Sequence, residues 1–286
     1  MKILDGIELK KEIQEKLAKK IQGFDSGLPK PNLVIIQVGD NTTSNVYVRQ
    51  KIGFGKTIGA SVNHVKLSGK IEEKELIIFV REACADPLVH GVIVQLPLPE
   101  HIKKDNVLDA IDPSKDVDGM TSVNVKKLWS GDKTAIVPAT ARGVDTILAK
   151  YHVDLEGKHV VIVGRSMLVG KPIFALMIER GATATICHSK TVDLKKYTRE
   201  ADIIVSAVGK ASLITKDYVR AGQIVIDVGI NVTEEEGERH LRGDVDFENI
   251  KDIVEMITPV PGGIGPLTVA CLFENLVDAY AKKFLS

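Results

Sequence analysis

The chain is predicted to be an α/β protein of two domains. An N-terminal α/β substrate domain is followed by a Rossmann-like nucleotide domain, with a cleft between them. Three observations predict this. Apolar runs alternate with amphipathic stretches along most of the chain, the mark of parallel β-α-β units. The run VVIVGRSMLVGKP (160–172) breaks into a glycine-containing turn that opens a helix, a common way to hold a dinucleotide phosphate. TPVPGGIGPLT (258–268) is a stiff loop of prolines and glycines before the last helix, placed to supply a second wall to the same cleft.

The elements follow in order. ELKKEIQEKLAKKI (8–21) repeats apolar residues at helical spacing, and LVIIQV (33–38) is a buried-strand run ending at Gly39-Asp40. Residues 43–60 read as a helix despite their glycines, SVNHVKL (61–67) alternates as a strand, and 71–86 is a helix. GVIVQLPLP (91–99) is a strand stopped by prolines. Residues 100–140 are less regular. HVVIV (159–163), ATATIC (182–187), DIIVSAV (202–208) and QIVIDVGI (223–230) are the strands of a second series. Its helix 171–181 has Pro172 in the first turn and Gly181 as its stop. A long amphipathic helix fills 266–285. The domains are therefore read as 1–138 and 139–265, with helix 266–286 packing back on the first.

Composition narrows the function. The 286 residues carry 38 basic and 38 acidic side chains, so general attraction to nucleic acid or a membrane surface is not expected. No apolar run reaches membrane-spanning length, and the N-terminus does not resemble a signal peptide. Three isolated cysteines (Cys84, Cys187, Cys271) fit a reducing cytoplasm. The seven histidines show no HExxH or Cys/His spacing, and no metal is expected.

Four constellations could carry chemistry. Gly164-Arg165-Ser166-Met167-Leu168-Val169-Gly170 departs from GxGxxG, with Ser166 at the middle glycine. It also suits an ordinary strand-to-helix turn, but its spacing places backbone N–H groups at a helix start. The acidic residue that NAD sites carry about 20 positions on is absent from Ile186–Thr191. Arg165, Ser189 and Lys190 would instead accept a 2′-phosphate, which favours NADP over NAD. Second, Ser44, Tyr47 and Lys51 share one helix face. Spacing alone fits a surface lysine beside a half-buried tyrosine more often than an acid–base unit. A lysine serving as base near neutrality needs its pKa moved from ~10.4 to between about 7 and 8, at roughly 3–5 kcal/mol. Third, Gln95 ends an apolar strand, at the sheet edge where α/β proteins bind ligands or simply bond backbone. Fourth, Lys115-Asp116-Val117-Asp118-Gly119 reads first as a turn. One of its carboxylates could also accept two parallel N–H bonds from a pterin-like edge.

These pieces occur in one order. YVRQK, VQLPLP, KDVDG, GRSMLVGKP, CHSKT, DVGIN and TPVPGGIGPLT together resemble the bifunctional methylenetetrahydrofolate dehydrogenase/cyclohydrolase (FolD) family, nearly end to end. The resemblance implies NADP-dependent oxidation of 5,10-methylenetetrahydrofolate to the methenyl form, then hydrolysis to 10-formyltetrahydrofolate. It implies Lys51 at the centre of the hydrolysis, Tyr47 stacking near the pterin, Gln95 bonded to Lys51, and Asp118 on the pterin's amino edge. Leu96, Pro261, Gly262 and Gly263 would line the folate. Gly164, Arg165 and Ser166 would hold the nucleotide, Arg165 and Ser189 its 2′-phosphate, and Ile230 the nicotinamide end. A cytoplasmic homodimer is implied as well. The chain departs from many relatives at Pro138-Ala139-Thr140-Ala141-Arg142-Gly143, where they carry Pro-Cys-Thr-Pro-x-Gly, and at Met167, a position often polar. A dehydrogenase of a small hydroxy or keto acid shares the two-domain plan. The DVDG, VQLPLP and PGGIGP set argues against it.

Overall fold

The computed structural model describes residues 1–235 and 238–284. The chain opens with strand β1 (Lys2–Ile3) and helix α1 (Gly6–Gln22). Then come β2 (Asn32–Val38), α2 (Thr42–Ile58), β3 (Ser61–Leu67), α3 (Glu73–Ala85), β4 (Gly91–Gln95), α4 (Lys104–Leu108) and α5 (Ser122–Trp129). Helix α6 (Ala139–Lys150) leads to β5 (His159–Val163), α7 (Gly170–Glu179), β6 (Thr183–Cys187), α8 (Leu194–Glu200), β7 (Ile203–Ser206) and β8 (Ile224–Asp227). The antiparallel pair β9 (Asn231–Glu235) and β10 (Glu238–Arg242), α9 (Phe247–Ile250), β11 (Met256–Ile257) and α10 (Ile264–Phe284) complete it. Residues 285 and 286, included in the terminal helix on sequence grounds, lie outside the described residues.

Two compact units result. One comprises Lys11–Ala139 with the chain from Val269, around a parallel sheet of order β3-β2-β4. The other comprises Met1–Lys10 and Thr140–Thr268, around a six-stranded parallel sheet of order β1-β11-β8-β7-β5-β6. The first ten residues, read from sequence with 11–138, group instead with 140–268. The reason is β1, which pairs in parallel with β11 (Lys2 with Met256, Ile3 with Ile257). Leu4 then donates its N–H to Ile257 O at 2.8 Å and is fully buried. Two-residue strands carry no periodicity, so neither β1 nor β11 is visible in the sequence.

Burial explains the patterns that are visible. Strand β2 is flanked by β3 and β4, and every residue from Leu33 to Val38 is buried. A parallel strand covered on both faces reads as a continuous apolar run. β3 is an edge strand without a fully buried residue, and Asn63, His64 and Lys66 are exposed. Val34, Ile36 and Val38 pack with Leu76 and Val80 of α3 and Val92 and Val94 of β4. Each such side chain contributes roughly 1.5–3 kcal/mol on burial. In the six-stranded unit Val161, Val163, Ile204, Val225 and Ile257 form the equivalent layer.

Two consequences bear on function. Gln95 pairs with Gln37 at the carboxyl ends of β4 and β2, the end where loops of parallel sheets carry ligands. In the larger sheet the chain passes from β5 to β6 on one side and then to β7 on the other. The strand order therefore reverses at β5/β7, a topological switch point.

Candidate active site

Helix α2 starts with Asn41, whose side-chain oxygen accepts the Ser44 N–H at 3.0 Å. The cap fixes where the first turns point. One and two turns further on stand Tyr47, half-buried, and Lys51, only 8 % exposed. Lys51 Nζ donates to Gln95 Oε1 at 2.8 Å. The amide of Gln95 is itself oriented, since its Nε2 donates to Leu96 O at 2.9 Å. Ser44 Oγ donates to the same carbonyl at 3.3 Å. The oxygen of Gln95 is thereby turned toward the amine. Burial pulls the Lys51 pKa below the usual lysine range, and the Asp118 charge opposes that. An amine denied water is shifted toward its uncharged, proton-accepting form.

The loop after residue 114 presents Asp118. Lys115 Nζ donates to Cys84 O at 2.6 Å and Asp86 O at 2.7 Å, tying the loop to the end of α3. Asp116 is fully buried and accepts from Met120 N, Thr121 N and Asn124 Nδ2 at 2.8–3.0 Å. Asn275 of α10 donates to Val117 O and Val137 O, both at 2.9 Å. Gly119 turns the chain with φ +69°, and a Cβ there would lie 2.5 Å from Ile136 O. Asp118 is left half-buried, with no hydrogen-bond partner among the described residues. Burial pushes its carboxyl up, the Lys51 charge draws it down, and the Asp116 charge pushes it up. Lys51, Gln95 and Asp118 thus form one electrostatic group, with Tyr47 a turn before Lys51.

The six-stranded unit supplies a different chemistry. Gly164 leaves β5 at φ +128°, and a Cβ there would overlap the carbonyl of Ala207 in the loop after β7. A cradle that only glycine permits sits at the switch point. Ser166 Oγ accepts from Val169 N and Gly170 N at 3.2 and 3.4 Å, shaping the turn into α7. Arg165 and Ser166 are exposed. After β6, His188 N donates to Thr191 Oγ1 at 2.8 Å and Thr191 N to His188 O at 2.8 Å, which leaves Ser189 and Lys190 exposed at the tip of a tight turn. Ile230 follows β8 and is 43 % exposed. Pro261 is exposed while Gly262 and Gly263 are buried, and Gly262 O accepts the Gly6 N–H at 2.8 Å. The arrangement fits a dinucleotide phosphate at the Gly164 turn and an extra phosphate near Arg165 and Ser189. Among the described residues no group of three or more His, Cys, Asp or Glu is placed to hold a metal ion.

Comparison with known proteins decides the family. The family model described as the tetrahydrofolate dehydrogenase/cyclohydrolase catalytic domain matches residues 4–118, and that for the NAD(P)-binding domain matches 138–284. The chain belongs to the tetrahydrofolate dehydrogenase/cyclohydrolase family. It is 46 % identical over 282 residues to the bifunctional protein FolD of Streptococcus thermophilus, covering 98 % of each chain. It also resembles the crystal structure of the bifunctional FolD of Campylobacter jejuni (TM-score 0.96, 43 % identity, 99 % of this chain and 100 % of that one). A third similar structure is the FolD of Trypanosoma brucei complexed with NADP cofactor and inhibitor (TM-score 0.95, 33 % identity, 99 % and 98 % coverage).

Residues 139–143 form the first turn and a half of helix α6. Ala139 and Ala141 are buried at the start of α6, and Thr140 Oγ1 lies 3.4 Å from Thr268 Oγ1. Met167 is 43 % exposed in the nucleotide turn. Sequence reasoning missed the residues that hold the site in place. Gln37, 1 % exposed, donates to Asn45 Oδ1 at 2.8 Å and so secures the first turn of α2. Asn124, Asn275, Asp227 and Asp244 are likewise buried. Their signal is a polar residue inside an apolar context, as in LVIIQV and LFENLV.

Proposed function

We propose that Lys51 is the proton-handling group of a two-step one-carbon enzyme, set in place by Gln95 and faced by Asp118. The chain oxidises 5,10-methylenetetrahydrofolate with NADP⁺ to 5,10-methenyltetrahydrofolate, and it hydrolyses that product to 10-formyltetrahydrofolate. The observation that carries the assignment of Lys51 is its burial with Nζ 2.8 Å from Gln95 Oε1.

NADP⁺, when bound at the Gly164 turn, supplies the hydride acceptor. Gly164 leaves room for the pyrophosphate and Ser166 shapes the turn. Arg165 and Ser189 hold the 2′-phosphate, and Ile230 meets the nicotinamide end. On the folate side, the Asp118 carboxylate accepts two N–H bonds from the pterin's amino edge, and Tyr47 stacks on the ring. Leu96, Pro261, Gly262 and Gly263 line the folate. The division of labour follows the two compact units, Lys11–Ala139 with the terminal helix for folate, and Met1–Lys10 with Thr140–Thr268 for the nucleotide.

Hydrolysis then asks one thing of the protein. The methenyl product is a cation, and an ammonium beside it would repel it. Lys51, drawn toward the neutral amine by burial, avoids that repulsion. As water adds to the methenyl carbon, Lys51 Nζ accepts the proton that leaves. Gln95 Oε1 accepts an N–H of the amine in either protonation state, so Nζ keeps its position through the transfer. The resemblance to the family supports a cytoplasmic homodimer as the working form.

Lys51→Met tests the assignment. It removes the amine and keeps the buried volume. Methenyl hydrolysis, followed by loss of methenyl absorbance, is expected to fall at least about 1,000-fold, a general-base contribution in the upper range. Adenosine 2′,5′-bisphosphate affinity should be unchanged. Hydrolysis within tenfold of the parent would overturn the role of Lys51.

A further inference from the structure

Two buried aspartates play no part in the chemistry above. Asp244 follows β10 and is fully buried. Its Oδ2 accepts from Val208 N at 2.7 Å, Gly209 N at 3.2 Å and Ser206 Oγ at 3.3 Å. Its Oδ1 accepts from Lys210 N at 2.8 Å and Asn231 Nδ2 at 3.0 Å. Three successive backbone N–H groups converging on one carboxylate form an anion nest, completed here by Gly209 at φ +67°. Nests of this kind are anion-binding concavities, and phosphate is one of their ligands. This one is filled by the protein's own anion.

Asp227, at the end of β8 and 2 % exposed, delivers that anion. Its Oδ1 accepts from Gly229 N at 2.9 Å and Asp244 N at 3.0 Å, and its Oδ2 from Val245 N at 2.9 Å. Burial first, with the Asp244 charge adding to it against the backbone donors, pushes Asp227 up to about 7. The chain at 244–245 is therefore fastened to β8, and Asp244 in turn gathers the loop after β7 and the residue after Ile230. Both loops lie on the β7–β8 side of the switch point, whereas Ser189 follows β6 on the other side. A dinucleotide laid across such a reversal puts its adenine ribose over the β6 side and its second nucleotide over the opposite side.

We infer that Asp244 is a positioning residue for the nicotinamide half of the cofactor, holding residues 208–210 and 230–231 as one wall while leaving the adenine half to Arg165 and Ser189. This rests on the NADP reading proposed above. The exposed side chains that the wall presents are Val208 and Ile230, 36 % and 43 % exposed, together with Lys210. The filled nest also assigns the pyrophosphate to the Gly164 turn alone, because the N–H groups of 208–210 are already taken.

Asp244→Asn keeps the size of the side chain but turns an NH₂ toward at least two of the five donors. The test measures binding of NADP⁺ and of adenosine 2′,5′-bisphosphate, which carries only the adenine-side phosphates, and the hydrolysis of added methenyltetrahydrofolate. The expected result is NADP⁺ affinity lowered at least tenfold, with bisphosphate affinity and methenyl hydrolysis within twofold of the parent. Parallel loss of both ligands, or loss of neither, overturns the inference while leaving the NADP reading intact. Failure of the parent to bind the bisphosphate would instead remove that reading. Should Asp244→Asn not fold, Asn231→Ala, which deletes one donor to Oδ1, decides. A severalfold loss of NADP⁺ affinity with bisphosphate binding retained supports the wall, and unchanged NADP⁺ affinity refutes it.

Discussion

Replacing Gln95 by Glu places a carboxylate where a neutral oxygen now meets Lys51. The magnitude follows from the geometry. At the observed 2.8 Å and an effective dielectric constant of about 20, the attraction is roughly 6 kcal/mol, or about four pKa units. Ionising a carboxyl at a position only 9 % exposed opposes this. If about half survives, the Lys51 pKa rises by roughly two units and the neutral amine falls about 100-fold near neutral pH. The sign is definite. A raised lysine pKa holds the ammonium over a wider range, so the base is lost at neutral pH and regained as pH rises. Initial rates of methenyl hydrolysis between pH 6.5 and 9.5, corrected for the uncatalysed reaction, should drop about 100-fold at pH 7. They should then rise with pH, because a raised pKa delays the return of the neutral amine. A variant that is equally slow across the whole range would refute the reasoning, since the damage would then lie in positioning and not in protonation. A variant with the parental rate and profile would show that the charge of Lys51 does not control the step.

Two further outcomes follow from other parts of the molecule. Arg165→Ala should lower kcat/KM for NADP⁺ by roughly 10- to 100-fold, the worth of a charged hydrogen bond of about 1.5–3 kcal/mol, and leave the value for NAD⁺ within a few-fold; steady-state kinetics with both cofactors check it. His90 gives a pH dependence of stability. Its Nδ1 accepts the Asn32 N–H at 3.1 Å, and its ring meets Tyr280 and Phe284 edge-on. Burial, aided by the charges of Lys283 and Lys115, holds its pKa down at about 4. A depressed histidine favours the folded state while neutral, so its contribution is present above about pH 6.5 and lost as pH falls toward 4, by up to about 3 kcal/mol. His90→Leu should therefore lose less stability than the parent between pH 6.5 and 4 in urea titrations; equal losses would refute this.

The sequence discloses those parts of the fold in which burial imposes a pattern. Strands 61–67 and 159–163 lie where alternation or an unbroken apolar run places them, and α2 and α10 follow their 3.6-residue spacing. Elements defined by partners distant in sequence were not legible. β1 exists because β11 lies beside it, and β11 because β8 does. The pair β9–β10 is mutual, with Glu234, His240 and Arg242 exposed and no apolar run to announce it. Helix α5 starts where Asp116 holds the Thr121 N–H and the Thr121 hydroxyl accepts the Asn124 N–H at 3.3 Å. Both anchors come from the preceding loop, so a search for periodicity passes over them. This is why 100–140 reads as irregular.

Asp116 and Asp118 show what decides a functional residue where pattern cannot. They are the same side chain two positions apart, and as a sequence both suit a turn. In the folded chain Asp116 receives three hydrogen bonds and is closed off from any ligand. Asp118 receives none among the described residues and faces the charge of Lys51. Even a half-buried carboxylate without a hydrogen-bond partner costs the fold something unless another group stabilises it. The fold could have satisfied Asp118 with the donors that surround its neighbour, and it does not. The same asymmetry separates Asp244, saturated by five donors, from Lys51, given one neutral acceptor and one distant charge. Around the site described here, the saturated polar groups hold the loops, while Asp118 and Lys51 keep capacity for a substrate. Supplying Asp118 with a partner from within the protein, for example a guanidinium, should then abolish folate binding even where the fold is made more stable by it.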